Sequence, residues 1–150
     1  MKQIFLLILG CSVLFADFTR DSDGVVTDTV THLQWQDEYT NNENVDRTHW
    51  EEAILYCEEL ELGGKDDWRL PTINELVSII NYEADSPRLY TIFRNNQRGS
   101  WSSTTDYDNF SEAWIMTFNS DTYGYGGMYS GNSGTNTKSK AYVPIRCVRD

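Results

Sequence analysis

Basic side chains are scarce. Lys and Arg number 12 against 23 Asp and Glu, and the formal net charge is -11. Phosphate backbones and anionic lipids are recognised through Lys and Arg, so nucleic acid and acidic membrane surfaces are excluded as natural partners. Cations, basic proteins or neutral ligands suit such a surface; the plain alternative is charge kept for solubility. Histidine occurs twice, as His32 and His49, and cysteine three times. That leaves little material for nucleophilic or acid–base catalysis. The carboxylates are many, but no spacing singles out a catalytic pair. Beyond residue 16 there is no long apolar run, and a bilayer span needs roughly 20 apolar residues. No internal repeat divides the chain, and 150 residues make one ordinary domain.

What is present begins with MKQIFLLILGCSVLFAD. One Lys, a short apolar stretch and small Ala16 before Asp17 have the plan of a secretory leader, residues 1–16, followed by a domain of residues 17–150. The ILGC run loosely resembles a lipid-attachment motif at Cys11, but the apolar stretch continues past it and favours cleavage after Ala16. The mature chain is therefore expected in the periplasm or outside the cell, without a membrane span. Cleavage leaves Cys57 and Cys147. In an oxidising compartment two thiols most simply form one disulfide; two buried free thiols are the alternative.

Hairpin chemistry opens the domain. Asp23-Gly24 predicts a turn between strands at 18–20 and 25–27, because Gly accepts positive φ. Asp21, Asp23 and Asp28 surround this turn, and calcium is the alternative use for their oxygens. The EF-hand pattern is not met, so the hairpin is preferred and no cofactor is expected. Residues 33–36 alternate as a further strand. Thr48 with Glu51 forms the signature of a capping box for a first helix. Its inward face is Trp50, Ala53, Ile54, Cys57 and Leu60, and Gly63-Gly64 is its expected stop. His49, next to the cap, is expected at the surface. Thr72 with Glu75 repeats the cap signature for a second helix over 73–80, with Ile73, Leu76, Val77 and Ile80 inward. Strands are expected at 100–105 and 113–118, and from 140 to the end, where Pro144 marks an edge or bulge.

Two runs carry unusual residue combinations. In DDWRLPTINEL, Trp68 and Leu70 alternate into the core, and Pro71 forces the residue before it to be extended. Arg69 then faces the other way. Its fork of donors predicts a buried clamp on Asp66, Asp67 or Glu75; an anionic ligand is the alternative, with no basic neighbour to help. In SWSST, Trp101 sits among hydroxyls. Ser102 and Ser103 can satisfy loop backbone or bond the hydroxyls of a sugar.

The ordered series DGVVTD, LQW, HWEEAILYC, DWRLPTINEL, Phe93, SWSST, AWIMTF and IRCVR resembles the DUF1566 family, also called the Lcl C-terminal domain family. The resemblance runs from about Asp17 to Arg149. It implies an α+β, C-type lectin-like fold: two helices packed on a twisted, mainly antiparallel sheet with long loops. It also implies that a cysteine in the first helix, here Cys57, pairs with one in the last strand, here Cys147. The formylglycine-generating relatives of that fold act through cysteine, and with this pair closed no thiol is spare. Two departures stand out. The family has Gly in the turn where this chain has His32, so that turn is expected to be reshaped. A collagen-like adhesin of the family binds sulfated polysaccharide through a basic surface, and this chain is too acidic for that ligand class to carry over.

Residues 119–139 are rich in Gly, Ser, Asn and Tyr and show no core pattern. Such a loop is either an adaptable recognition surface or a flexible connection. On the first reading Tyr123, Tyr125 and Tyr129 contact the ligand. The expected function is a secreted, non-enzymatic ligand-recognition or adhesion module, its ligand a glycan or protein at the cell envelope. The alternative is a structural module of the envelope that contacts other proteins, and a degenerate enzyme-like domain is third.

Overall fold

The computed structural model describes residues 17–38, 47–84, 89–94, 99–118 and 133–150. The leader with Ala16 and Cys11, and the segment carrying Tyr123, Tyr125 and Tyr129, lie outside the described residues.

Described strands and helices give an α+β arrangement of two antiparallel sheets and two short helices. The first sheet joins β1 (Phe18–Arg20), β2 (Val25–Asp28), β3 (Gln34–Gln36) and β7 (Val148–Arg149), in that order. The second joins β4 (Gly99–Thr105), β5 (Glu112–Thr117) and β6 (Ser133–Thr137). Helix α1 spans Trp50–Glu58 and α2 spans Ile73–Ser78.

Burial follows the two-residue period of a strand. Val25 joins one core cluster with Ala53 and Cys57 of α1, Trp68, Leu70, Trp101 and Ile145. Its neighbour Val26 joins the other, with Trp35, Phe93, Phe118 and Leu76 of α2. In β5, Ala113 and Ile115 enter the first cluster and Met116 the second. Both sheets are thus covered on two faces. That is why AWIMTF is nearly continuous in apolar residues where a half-exposed strand would alternate.

Local chemistry explains most element ends. Asp21 accepts the amides of Asp23 and Val25 at 3.0 and 2.8 Å, and Gly24 takes φ 81 between β1 and β2. A Cβ at Gly24 would lie 2.3 Å from that of Glu38, so glycine is needed there twice over. Asp28 binds Val30 N, Thr31 N and Thr31 Oγ1 at 2.8, 3.3 and 2.8 Å. Two of the three candidate calcium ligands therefore spend their oxygens on their own turns. Among the described residues no three His, Cys, Asp or Glu are grouped to hold a metal ion.

The structure corrects several expectations. His32 does not reshape its turn: it takes the left-handed conformation itself, φ 65, and donates its amide to Asp28 O at 2.8 Å. Thr48 does not cap α1. Its backbone exchanges two hydrogen bonds with Val143, at 3.1 and 3.2 Å, so the helix starts later with His49 at the N-cap and no side-chain cap bond. Nor do Gly63 and Gly64 end α1, which stops at Glu58; they form a tight left-handed turn closed by the Leu62–Lys65 backbone pair. The Thr72–Glu75 capping box is present, but α2 ends at Ser78 and leaves Val77 exposed. Strand β6 lies inside the stretch that shows no core pattern. The closing segment pairs as a strand only at Val148–Arg149. Before that the chain threads between the sheets, where Pro144 O accepts the Trp101 amide at 3.0 Å and Arg146 N donates to Ser100 Oγ at 3.0 Å.

Candidate functional site

The frame around any binding surface is built from the two unusual runs. Trp68 and Leu70 are buried, and between them the Arg69 backbone exchanges hydrogen bonds with Val148 at 2.8 and 2.9 Å, which ties the run to β7. The Arg69 guanidinium grips Glu75 with two bonds, 2.9 and 2.7 Å, and Asp150 with a third, 2.8 Å. Its side chain is 37% exposed, so the clamp sits at the surface and is not buried as expected. The reason is its reach: it spans from the first turn of α2 to the last residue of the chain. Of the other expected partners, Asp67 is taken by Arg149. The hydrogen bonds that Arg69 donates to Glu75 raise its pKa above its ordinary value against the opposing pull of burial. Burial pushes the Glu75 carboxyl up, but Arg69 and Thr72 donate to it and hold it below its usual range.

The first three residues of SWSST are buried, and Ser103 is exposed. Trp101 is buried and its indole donates to Thr48 O at 2.8 Å. Ser102 Oγ donates to Trp114 O at 2.8 Å and accepts the Thr104 amide at 3.2 Å, bridging the register shift of β4. Ser103 N and Oγ both reach Pro71 O, at 2.7 and 3.3 Å. The two runs therefore touch, and their hydroxyls satisfy backbone where the ladder is interrupted. Cys57 and Cys147 form a disulfide that joins α1 to the residue before β7.

A polar cluster was missed in the sequence. Arg146 is fully buried and donates to Gln36 O at 2.8 Å and Asp37 Oδ1 at 3.3 Å. Asp37 Oδ2 accepts from Arg20 Nε and the Arg94 amide, each at 2.9 Å. The Arg146 guanidinium lies over Phe93 at 4.9 Å. A charge inside the apolar run PIRCV is the one signal that pointed there, and it does not name the partner. Arg146 and Asp37 are closed to solvent, and their bonds tie β1, the end of β3 and the closing segment together.

Solvent meets aromatic rings at one end of the second sheet. Tyr107 is 86% and Phe110 75% exposed in the turn between β4 and β5. Tyr142 is also exposed, with the His49 ring against it at 4.3 Å, so His49 is half-buried and not free at the surface. Lys138 Nζ lies 4.0 Å over the Trp50 ring and 2.8 Å from Thr105 Oγ1. The expected ligand contacts Tyr123, Tyr125 and Tyr129 are not among the described residues; the strands that flank them, β5 and β6, are paired from Glu112↔Thr137 to Met116↔Ser133. Among the described residues no helix is long and apolar enough to cross a membrane.

A family model described as the Lcl C-terminal domain matches residues 24–149. No curated protein matches the chain, and no solved structure does.

Proposed function

The chain belongs to the Lcl C-terminal domain family, and from that premise we propose that it is a secreted, non-enzymatic recognition or adhesion module of C-type lectin-like fold. The observation that carries the proposal is the anchoring of the tyrosine-rich segment. Both its ends leave paired strands of one sheet, and that sheet shares its core with the α1 helix that carries the disulfide. A frame of that kind lowers the entropic cost of binding through the segment it holds. Tyr contributes rigid contact area, and Gly, Ser and Asn contribute adaptable hydrogen bonds. The closed Cys57–Cys147 bond supports export to an oxidising compartment. It also removes the thiols that cysteine-dependent chemistry needs. The link between the first helix and the end of the chain supports the lectin-like reading.

The test is a glycan array and an envelope-protein screen with the mature chain. Replacing Tyr123, Tyr125 and Tyr129 together by Ser is expected to leave the melting temperature nearly unchanged and abolish binding to the ligand found. Unfolding of the triple variant, or unchanged binding, refutes this use of the segment. A second reading, a structural module that contacts other proteins, is favoured by the exposed rings Tyr107 and Phe110.

A further inference from the structure

The β4–β5 turn exposes two aromatic rings on a frame that does not need them. Residues 105–112 contain no glycine and no proline. The turn is closed by Asp106 N to Glu112 O, 3.0 Å, and Glu112 N to Asn109 O, 2.8 Å. Side chains reinforce it: Asp106 Oδ1 accepts the Asp108 amide at 3.1 Å, and Asn109 Oδ1 accepts Ser111 N and Oγ at 3.2 and 2.7 Å. Asn109 Nδ2 and Thr135 Oγ1 both donate to the Glu112 carboxylate, at 3.0 and 2.6 Å. Polar bonds thus hold the conformation, and neither Tyr107 nor Phe110 belongs to a core cluster.

The charge of the turn decides what such rings can meet. Asp106, Asp108 and Glu112 flank them, and residues 105–112 include no cation. Lys138 is bonded next to the turn through its amide to Ser111 O at 2.9 Å, but its ammonium is directed to Trp50 and Thr105. Aromatic faces beside carboxylates match a guanidinium. The rings offer their negative faces to the planar cation, and the carboxylates accept from its edge. A compact, strongly hydrated ammonium gains less from stacking, and a neutral sugar gains nothing from the charge.

We propose that the β4–β5 turn is a docking site for an arginine-rich segment of a partner protein, with Tyr107 and Phe110 as stacking faces and Asp108 as the most exposed counter-charge. The proposal shares with the preceding one the premise that the domain acts by binding. It concerns the opposite end of β5 from the tyrosine-rich segment, so the two can fail separately.

The probe is a fluorescent peptide alternating Arg and Gly, titrated with the mature chain at low salt. Tyr107→Ser/Phe110→Ser leaves the net charge unchanged and is expected to weaken binding about tenfold, the combined loss of two exposed cation–π contacts. Glu51→Gln/Glu58→Gln removes two exposed charges from α1 and is expected to weaken it by less than about twofold. Asp108→Asn, and citrulline in place of arginine in the peptide, give independent losses should the aromatic variant fold poorly. Equal binding by parent and aromatic variant, a larger loss from the α1 variant, or displacement of the peptide by the neutral polysaccharide laminarin overturns the proposal. So does a parent chain that does not bind the peptide. In that case retained binding of an array ligand through Tyr123, Tyr125 and Tyr129 leaves the recognition reading standing, and loss of both removes it too.

Discussion

Removing the disulfide with Cys57→Ala/Cys147→Ala is the most quantitative perturbation the structure offers. The two residues are 90 apart in sequence. Opening a loop of that length returns about 4.5 kcal/mol of chain entropy to the unfolded state. Both side chains are fully buried in one cluster with Trp68, Trp101 and Ile145, so lost sulfur packing adds about 1 kcal/mol. Compactness of the unfolded chain takes back a similar amount. The net expectation is about 4.5 kcal/mol. Unfolding entropy scales at about 2.1 cal/mol/K per residue, so a chain of this size should melt roughly 15 °C lower. Calorimetry on the parent, the double variant and the parent held in reductant measures this. The variant should also show a larger urea m-value, because an unlinked chain exposes more surface on unfolding. A variant that melts within about 3 °C of the parent with an unchanged m-value refutes the reasoning. It would mean that the link constrains a chain already held by other contacts when unfolded.

Three further outcomes follow from local geometry. Arg69→Lys keeps the charge and loses the two-pronged grip on Glu75, and at its half-exposed position it should destabilise by about 1 kcal/mol in urea unfolding at neutral pH. Because the folded-state pKa of Glu75 is lowered, its contribution is present above the ordinary Glu range and lost as pH falls through the folded value; the difference between parent and Arg69→Lys should shrink in acid, and a constant difference argues against the ion pair. His32→Val places a β-branched residue at φ 65 and should cost about 1–2 kcal/mol, whereas His32→Gly should be neutral or stabilising; equal melting of all three proteins would contradict the left-handed turn. Asp37→Ala removes a carboxylate shared by Arg20 and the buried Arg146 and should cost about 3–5 kcal/mol, read as loss of folded protein at moderate urea; a loss under about 1 kcal/mol would show that neighbouring carbonyls alone hold the guanidinium.

Features whose partners lie three or four residues away were legible in the sequence. The Thr72–Glu75 cap forms because both halves are on one turn of α2, and the Asp21 and Gly24 hairpin forms because backbone geometry demands it locally. The disulfide was also legible, from compartment and from family resemblance. Tertiary structure decided the rest. Thr48 and Glu51 carry the same cap signature, yet Val143 takes the Thr48 backbone and the helix starts without it. Glu75 was among the partners expected for Arg69, but Asp150 joins it, and Asp67 goes to Arg149, because the closing residues pack beside that run. Strand β6 has no apolar signal, since its ladder to β5 is made by backbone groups that are alike in every residue. Arg146 could be seen as a charge in an apolar run, but its partner Asp37 is set by how β3 and the closing segment meet. Side-chain type fixes what a residue can bond. Which bond it makes is settled by the chain that packs against it, and that contact is not written in neighbouring residues.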